Sequence, residues 1–248
     1  MKIKILLLLI LLGLLNNCIS SEWVAPEKPN PQEILFEARD DVENKQYETA
    51  LLKYVWIHEH SLKYRNSFYG VRSSYAKEEW HLLGKSYPLA REKFNEFRDK
   101  AKQQVLSKND LLLNFSDFQS FNRLIGKQDE TVELFLWIEK NVAFMTDATY
   151  VFVKSDLMKL DRFDILNKYI KPELEYKKAE QIYKSSIEFN KGKIDESSES
   201  MFITEIQQMI IILKKNNRTD EAKELISKAS LLITDPRFKM AMESILSN

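Results

Sequence analysis

Three histidines and a cluster rich in aromatic and arginine residues are the side chains here whose types and spacing invite chemistry. His58-Glu59-His60, with His81 further along, offers zinc-ligand types. Helical residues two apart point about 200° from one another, so His58 and His60 cannot grip one ion. Zinc hydrolase helices space their histidines four apart. We therefore expect no metal site. The chain carries no G-x-S-x-G elbow, no Walker loop and no glycine-rich dinucleotide turn. Carboxylate pairs such as Glu78/Glu79 have no context beyond that of a solvated helix face. No catalytic residue and no cofactor is expected.

Residues 67–81 suggest recognition instead. They include Phe68, Tyr69, Arg72, Tyr75, Trp80 and His81. Tyr, Trp and Arg dominate the energetics of binding surfaces. We expect Tyr69, Arg72, Glu79 and His81 to be partly exposed groove residues, with Phe68 and Tyr75 packed between helices. Trp56 and Trp137 are expected in the core.

The chain that must position these residues has 248 residues, room for one large domain or two small ones. Its 37 basic and 37 acidic residues balance, which argues against a nucleic-acid partner, because tracking a phosphate backbone needs a basic excess. A single cysteine removes disulfide scaffolds and cysteine-based zinc sites. Five glycines and six prolines are few for this length, which disfavours folds built on many tight turns and favours long helices.

That cysteine sits in a telling place. Lys2 and Lys4 precede an unbroken apolar run, residues 5–15, too short to span a bilayer but long enough for a secretory signal. Leu15-Asn16-Asn17-Cys18 follows. This segment resembles a bacterial lipoprotein signal, in which a Leu three residues before Cys marks the processing site and the Cys carries the lipid. Leu15 and Cys18 match; Asn16 and Asn17 replace the usual small residues, as in relaxed versions of the motif. The resemblance implies a signal peptide over 1–17, lipidation of Cys18, and a membrane partner held through that lipid. The location it implies is a bacterial envelope. The outer membrane is favoured because Ile19-Ser20 lack an acidic retention residue. A Pro-rich tether is expected over 18–32, since Pro26, Pro29 and Pro31 favour extended backbone. Trp23 could either dip into the bilayer interface or pack on the body.

The body, 33–248, reads as helix after helix. Apolar residues recur at helical spacing through Ile34, Leu35 and Ala38, then Ala50, Leu51 and Tyr54, and onward to a short terminal helix over 238–246. Thr149-Tyr150-Val151-Phe152-Val153 has strand-forming composition but lies among helical patterns, so we read it as a buried helix. Residues 190–200 are polar and read as a long loop. Gly84 and Gly126 read as residues closing helices. Residues 44–50 match 126–132 at four of seven positions, an internal repeat of the kind helical solenoids show.

At its corners the chain resembles the tetratricopeptide repeat superfamily. An aromatic opens the second helix of a pair, Ala follows three residues on, and a large residue four after that. Tyr47/Ala50/Tyr54, Tyr87/Ala90/Phe94 and Tyr176/Ala179/Tyr183 carry this pattern, and Thr219/Ala222/Ile226 carries it without the aromatic. The glycine usual in the first helix is mostly missing. The resemblance implies an all-α solenoid of antiparallel helix pairs; an irregular helical bundle is the alternative. Such repeats bind extended ligands and carry no catalytic group of their own. The expected function is a lipid-anchored, non-catalytic adaptor for a protein or peptide. The alternatives are an envelope enzyme or glycan-binding protein with an unrecognised site, and a protein that blocks an envelope toxin.

Overall fold

A computed structural model describes residues 23–233 and 235–247. The signal peptide, Leu15 and Cys18 lie outside the described residues. The fold is all-α: helices packed on one another, with no strand among the described residues. None of these helices is long and apolar enough to cross a membrane. The chain divides into two units at Phe97/Arg98.

In the first unit, α1 (Pro31–Glu43) packs on α2 (Tyr47–Tyr64). Asn30 caps α1 by accepting the Gln32 N–H, and Pro31 occupies the first turn, where it forfeits no helical hydrogen bond. A 3-10 turn and α3 (Tyr69–Ser73) lead to α4 (Tyr75–Ser86) and α5 (Pro88–Leu106), within which the division falls. The helix breaks at Ser74, between α3 and α4. The Ser73 and Ser74 hydroxyls donate to the carbonyls of Tyr69 and Gly70, and Ser74 leaves helical geometry. Gly84 does not close a helix. It lies inside α4, where a Cβ would stand 3.0 Å from Arg91 Cβ and 3.2 Å from Arg91 Cα on α5. Close approach of two backbones is why this position takes a glycine.

The second unit continues with α6 (Leu111–Ile125), α7 (Gln128–Asn141), α8 (Thr146–Lys159), α9 (Phe163–Tyr169), α10 (Pro172–Phe189), α11 (Glu196–Lys215), α12 (Thr219–Ala229) and α13 (Pro236–Ser247). Residues 149–153 are helical, inside α8. Thr149, Tyr150 and Val153 are buried, but Val151 is 70% exposed, so only one face of that stretch is core. The expected loop over 190–200 is shorter. Asp195 accepts the Ser198 N–H and starts α11 at Glu196, since a capped end and acidic first turn suit polar residues. Tyr176/Ala179/Tyr183 is not a corner, because α10 begins at Pro172 and carries Tyr176 through as an interior residue.

One turn recurs four times, joining α1 to α2, α6 to α7, α8 to α9 and α11 to α12, each a packed pair. A left-handed residue comes first: Lys45 (φ 61°), Gly126 (75°), Asp161 (55°) or Asn217 (59°). The next residue (Gln46, Lys127, Arg162 or Arg218) has φ between −81° and −108° and ψ between 41° and 58°. Its N–H donates five residues back, at 2.7–2.9 Å, to Asp41, Asn122, Leu157 or Leu213. This is the six-to-one bond of a Schellman closure, which satisfies a carbonyl the ending helix leaves open. The following residue starts the next helix. The fourth residue of that helix (Ala50, Thr131, Leu166 or Ala222) is fully buried every time.

Gly126→Ala should destabilise the protein by about 1–2 kcal/mol, because an L side chain is strained in the left-handed region although nothing lies within 4 Å of the added methyl. Gly84→Ala should cost about 1–3 kcal/mol through overpacking against Arg91. Urea unfolding monitored by circular dichroism checks both, and a Gly126→Ala as stable as the parent would contradict a left-handed turn at Gly126.

Candidate functional site

The four groove candidates lie in the first unit, and the structure gives two of them structural work. Arg72 is buried at 5% exposure, and its Nε donates to the His58 carbonyl at 2.7 Å. This corrects the expectation that it is open to a ligand. Glu79 is held by Arg39, whose Nη2 donates to Oε1 at 2.7 Å and whose Nε donates to Oε2 at 3.0 Å; the Tyr54 hydroxyl donates to the same carboxylate at 3.3 Å. Tyr69 is half-buried. His81 stands against Phe94 at 5.3 Å, and burial, with Lys85 beside it, holds its imidazole below the ordinary range. With Arg72 buried and Glu79 tied to Arg39, the four do not form one open surface.

Two neighbours of these residues also depart from expectation. Tyr75 is 64% exposed rather than packed, whereas Phe68 is buried as expected. Trp80, 1% exposed, is the pivot of this unit. Its Nε1–H donates to the Ala90 carbonyl at 3.0 Å, and its ring meets Phe94 and Phe97 edge-on at 5.7 and 5.4 Å. Each of the three histidines lies against an aromatic ring, and His58 and His81 border the same Trp80–Phe94–Phe97 cluster. His58 is edge-on to Phe97, His60 lies beside Trp56, and His81 lies on Phe94. Among the described residues no three His, Cys, Asp or Glu gather as a metal-ligand set.

A concavity lies in the second unit, between α8, α10 and α11. It is a cleft of about 470 Å³, inside the usual range for ligand sites. Val151 of α8, Leu174 and Ile182 of α10 and Met201 of α11 line it while being 47–70% exposed. The cause lies in α10. Tyr176 and Tyr183 face the core, where Tyr183 stacks on Phe202 at 5.2 Å and Tyr176 meets the same ring at 6.3 Å. Leu174 and Ile182, eight residues apart and thus on one side of the helix, form a second stripe that no neighbouring helix covers. An apolar arc wider than one packing face was the only signal of this site in the sequence, and periodicity alone assigns such residues to the core.

The polar groups of the cleft are largely paired among themselves. Lys154 Nζ lies 2.8 Å from Glu175 and 3.3 Å from Glu205, and Lys171 pairs with Asp147. With Lys178, three cations face three anions along the lining. The Tyr150 hydroxyl is buried and has no hydrogen-bond partner among the described residues. Burial, then the charges of Glu175 and Glu205, hold it above the ordinary phenol range, so it stays protonated. Apolar walls, balanced charge and a neutral hydroxyl suit the capture of apolar groups.

The opposite face of α8 is anchored by a buried acid. Asp156, 3% exposed, accepts a hydrogen bond from Gln119 Nε2 of α6 at 2.9 Å. Burial raises its pKa, and the Gln119 hydrogen bond only partly offsets this.

Comparison with protein families, with curated proteins and with solved structures finds no match.

A raised carboxyl pKa means that the folded state binds the proton more tightly than the unfolded chain. Asp156 should therefore cost stability progressively as pH rises from near its unfolded value of about 4 through its folded value. Asp156→Asn keeps an acceptor for Gln119 and should raise the melting temperature at pH 7 while flattening its acid-side pH dependence. A melting curve series from pH 4 to pH 8 in both proteins checks this, and an Asn variant less stable at pH 7 would refute it.

Proposed function

We propose that this protein is a lipid-anchored binding module of a bacterial envelope, and that the α8–α10–α11 cleft takes apolar side chains of a protein or peptide partner. The observation that carries the reading is the cleft itself, with four large apolar side chains exposed around it and its charges balanced. Apolar groups left uncovered around one concavity mark interaction sites rather than ordinary surface. An amphipathic helix presenting anchors three and four residues apart is the kind of segment that lies in a groove between helices. Two further observations support the reading. The Leu15/Cys18 signal resembles that of lipoproteins, and the four equal turns are what a tetratricopeptide-like array of helix pairs would use. In such an array the helices are scaffold and the exposed stripe is the specific part. Lysine and glutamate on the cleft rim would orient the partner segment rather than act on it.

A photo-crosslinking residue placed at Ile182 or Met201 of the lipid-anchored chain, in its own envelope, should yield one discrete adduct. The same residue at Asp220, whose side chain is fully exposed on α12, should not. Ile182→Asp, combined with the probe at Met201, should abolish the adduct. Because Ile182 is already 64% exposed, the stability change should stay within about 0.5 kcal/mol. Equal labelling at Ile182 and Asp220, or an adduct indifferent to Ile182→Asp, would overturn the reading.

A further inference from the structure

Trp23 packs on the body. Its ring meets Trp56 of α2 edge-on at 6.4 Å, and Lys53 Nζ lies 5.8 Å from its centre. The indole stays half exposed, so packing does not take it out of reach of the interface, and the contact shortens the tether. Only residues 19–22 remain between Cys18 and the docked indole.

Trp56, His60 and Tyr64 follow at intervals of four along α2, so they share one face. Trp56 lies 5.8 Å from His60 and stacks on Tyr64 at 5.7 Å. With Trp23 they make a continuous aromatic stripe. It is not core: Tyr64 is 49% exposed, His60 is exposed, both indoles are half-buried, and Val24, next in sequence, is 80% exposed. Lys63 Nζ sits 5.8 Å over the Tyr64 ring, and exposed Arg65 follows.

We propose that this stripe, Trp23–Trp56–His60–Tyr64, is the face that lies on the lipid interface of the membrane to which Cys18 is anchored. The inference rests on the lipid-anchor reading above and adds an orientation to it. The length of chain between the anchor and the stripe carries the argument. The five Cα–Cα steps from Cys18 to Trp23 reach at most about 18 Å when fully extended. The headgroup layer is itself roughly 5–8 Å deep. Trp23 is thus held at or beside the interface, and Trp56 is in contact with it. Indole and phenol rings favour that depth because one edge is apolar and the other can hydrogen-bond to headgroups and water. Lys63 and Arg65 at the end of the stripe complement anionic headgroups.

The test uses the full lipidated chain reconstituted into phosphatidylcholine–phosphatidylglycerol vesicles, with and without brominated acyl chains, which quench nearby indoles. Bromine-dependent quenching is expected. It should be lost in Trp23→Phe/Trp56→Phe and kept in Trp137→Phe. As a second readout that spares both indoles, a spin label at Tyr64→Cys should be reached by a lipid-soluble relaxant several-fold more than one at Asp220→Cys. Protein that pellets with the vesicles but shows neither quenching nor label contrast overturns the proposed face and leaves the anchor standing. Protein that does not pellet, or carries no lipid on Cys18, overturns the anchor reading and the face with it.

Discussion

The Schellman closure between paired helices is the constraint on which the rest of the structure depends. At Lys45, Gly126, Asp161 and Asn217 the chain enters the left-handed region, reverses, and starts a new helix two residues later. Reversal in so few residues forces the second helix back along the first. It also fixes which residue of that helix meets its partner, and the fully buried fourth residue follows from that geometry. In the α6–α7 pair the lock is doubled. The Asn122 carbonyl accepts the Lys127 N–H, while its side-chain amide donates to Thr131 Oγ1 at 3.0 Å, the fourth residue of α7.

Two kinds of surface remain once the pairs are closed. In the second unit, Tyr176 and Tyr183 direct α10 into the core through Phe202. The helix must then show Leu174 and Ile182 on another side, and with Val151 and Met201 these become the walls of a cleft. In the first unit, Trp80 fills the interior between α4 and α5, and Trp56, His60 and Tyr64 of α2 lie outside it as a stripe. The same residue types serve as core in one place and as surface in the other. Helix direction, set by the turns and by Gly84, decides which.

Arg72, which the structure buries, and Glu79, which it leaves half-buried, are both taken by partners far along the chain. Both have the composition of a recognition surface, yet Arg72 donates to the His58 carbonyl and Glu79 is held by Arg39 on another helix. Sequence separations of 14 and 40 residues hide both partners from any local pattern. Val151 misled in the opposite sense. A β-branched residue in an apolar run reads as core, but α8 turns it away from α6, toward the cleft.

Much was determined by the amino-acid sequence alone. Few glycines and prolines, helical spacing of apolar residues, and a repeated segment at 44–50 and 126–132 specify an all-α chain of paired helices. These are local properties, set by backbone propensity and by which residues share a helix face. Burial at Ala50, Ala90, Leu166 and Ala222 follows from the same local pattern. Tertiary structure alone decided which faces stay uncovered. The cleft, the docking of Trp23 on Trp56, the ion pairs of Lys154 and the burial of Arg72 each join residues distant along the chain. A helix can state that it has an apolar face; only its packing against other helices decides whether that face is closed or left open to a partner.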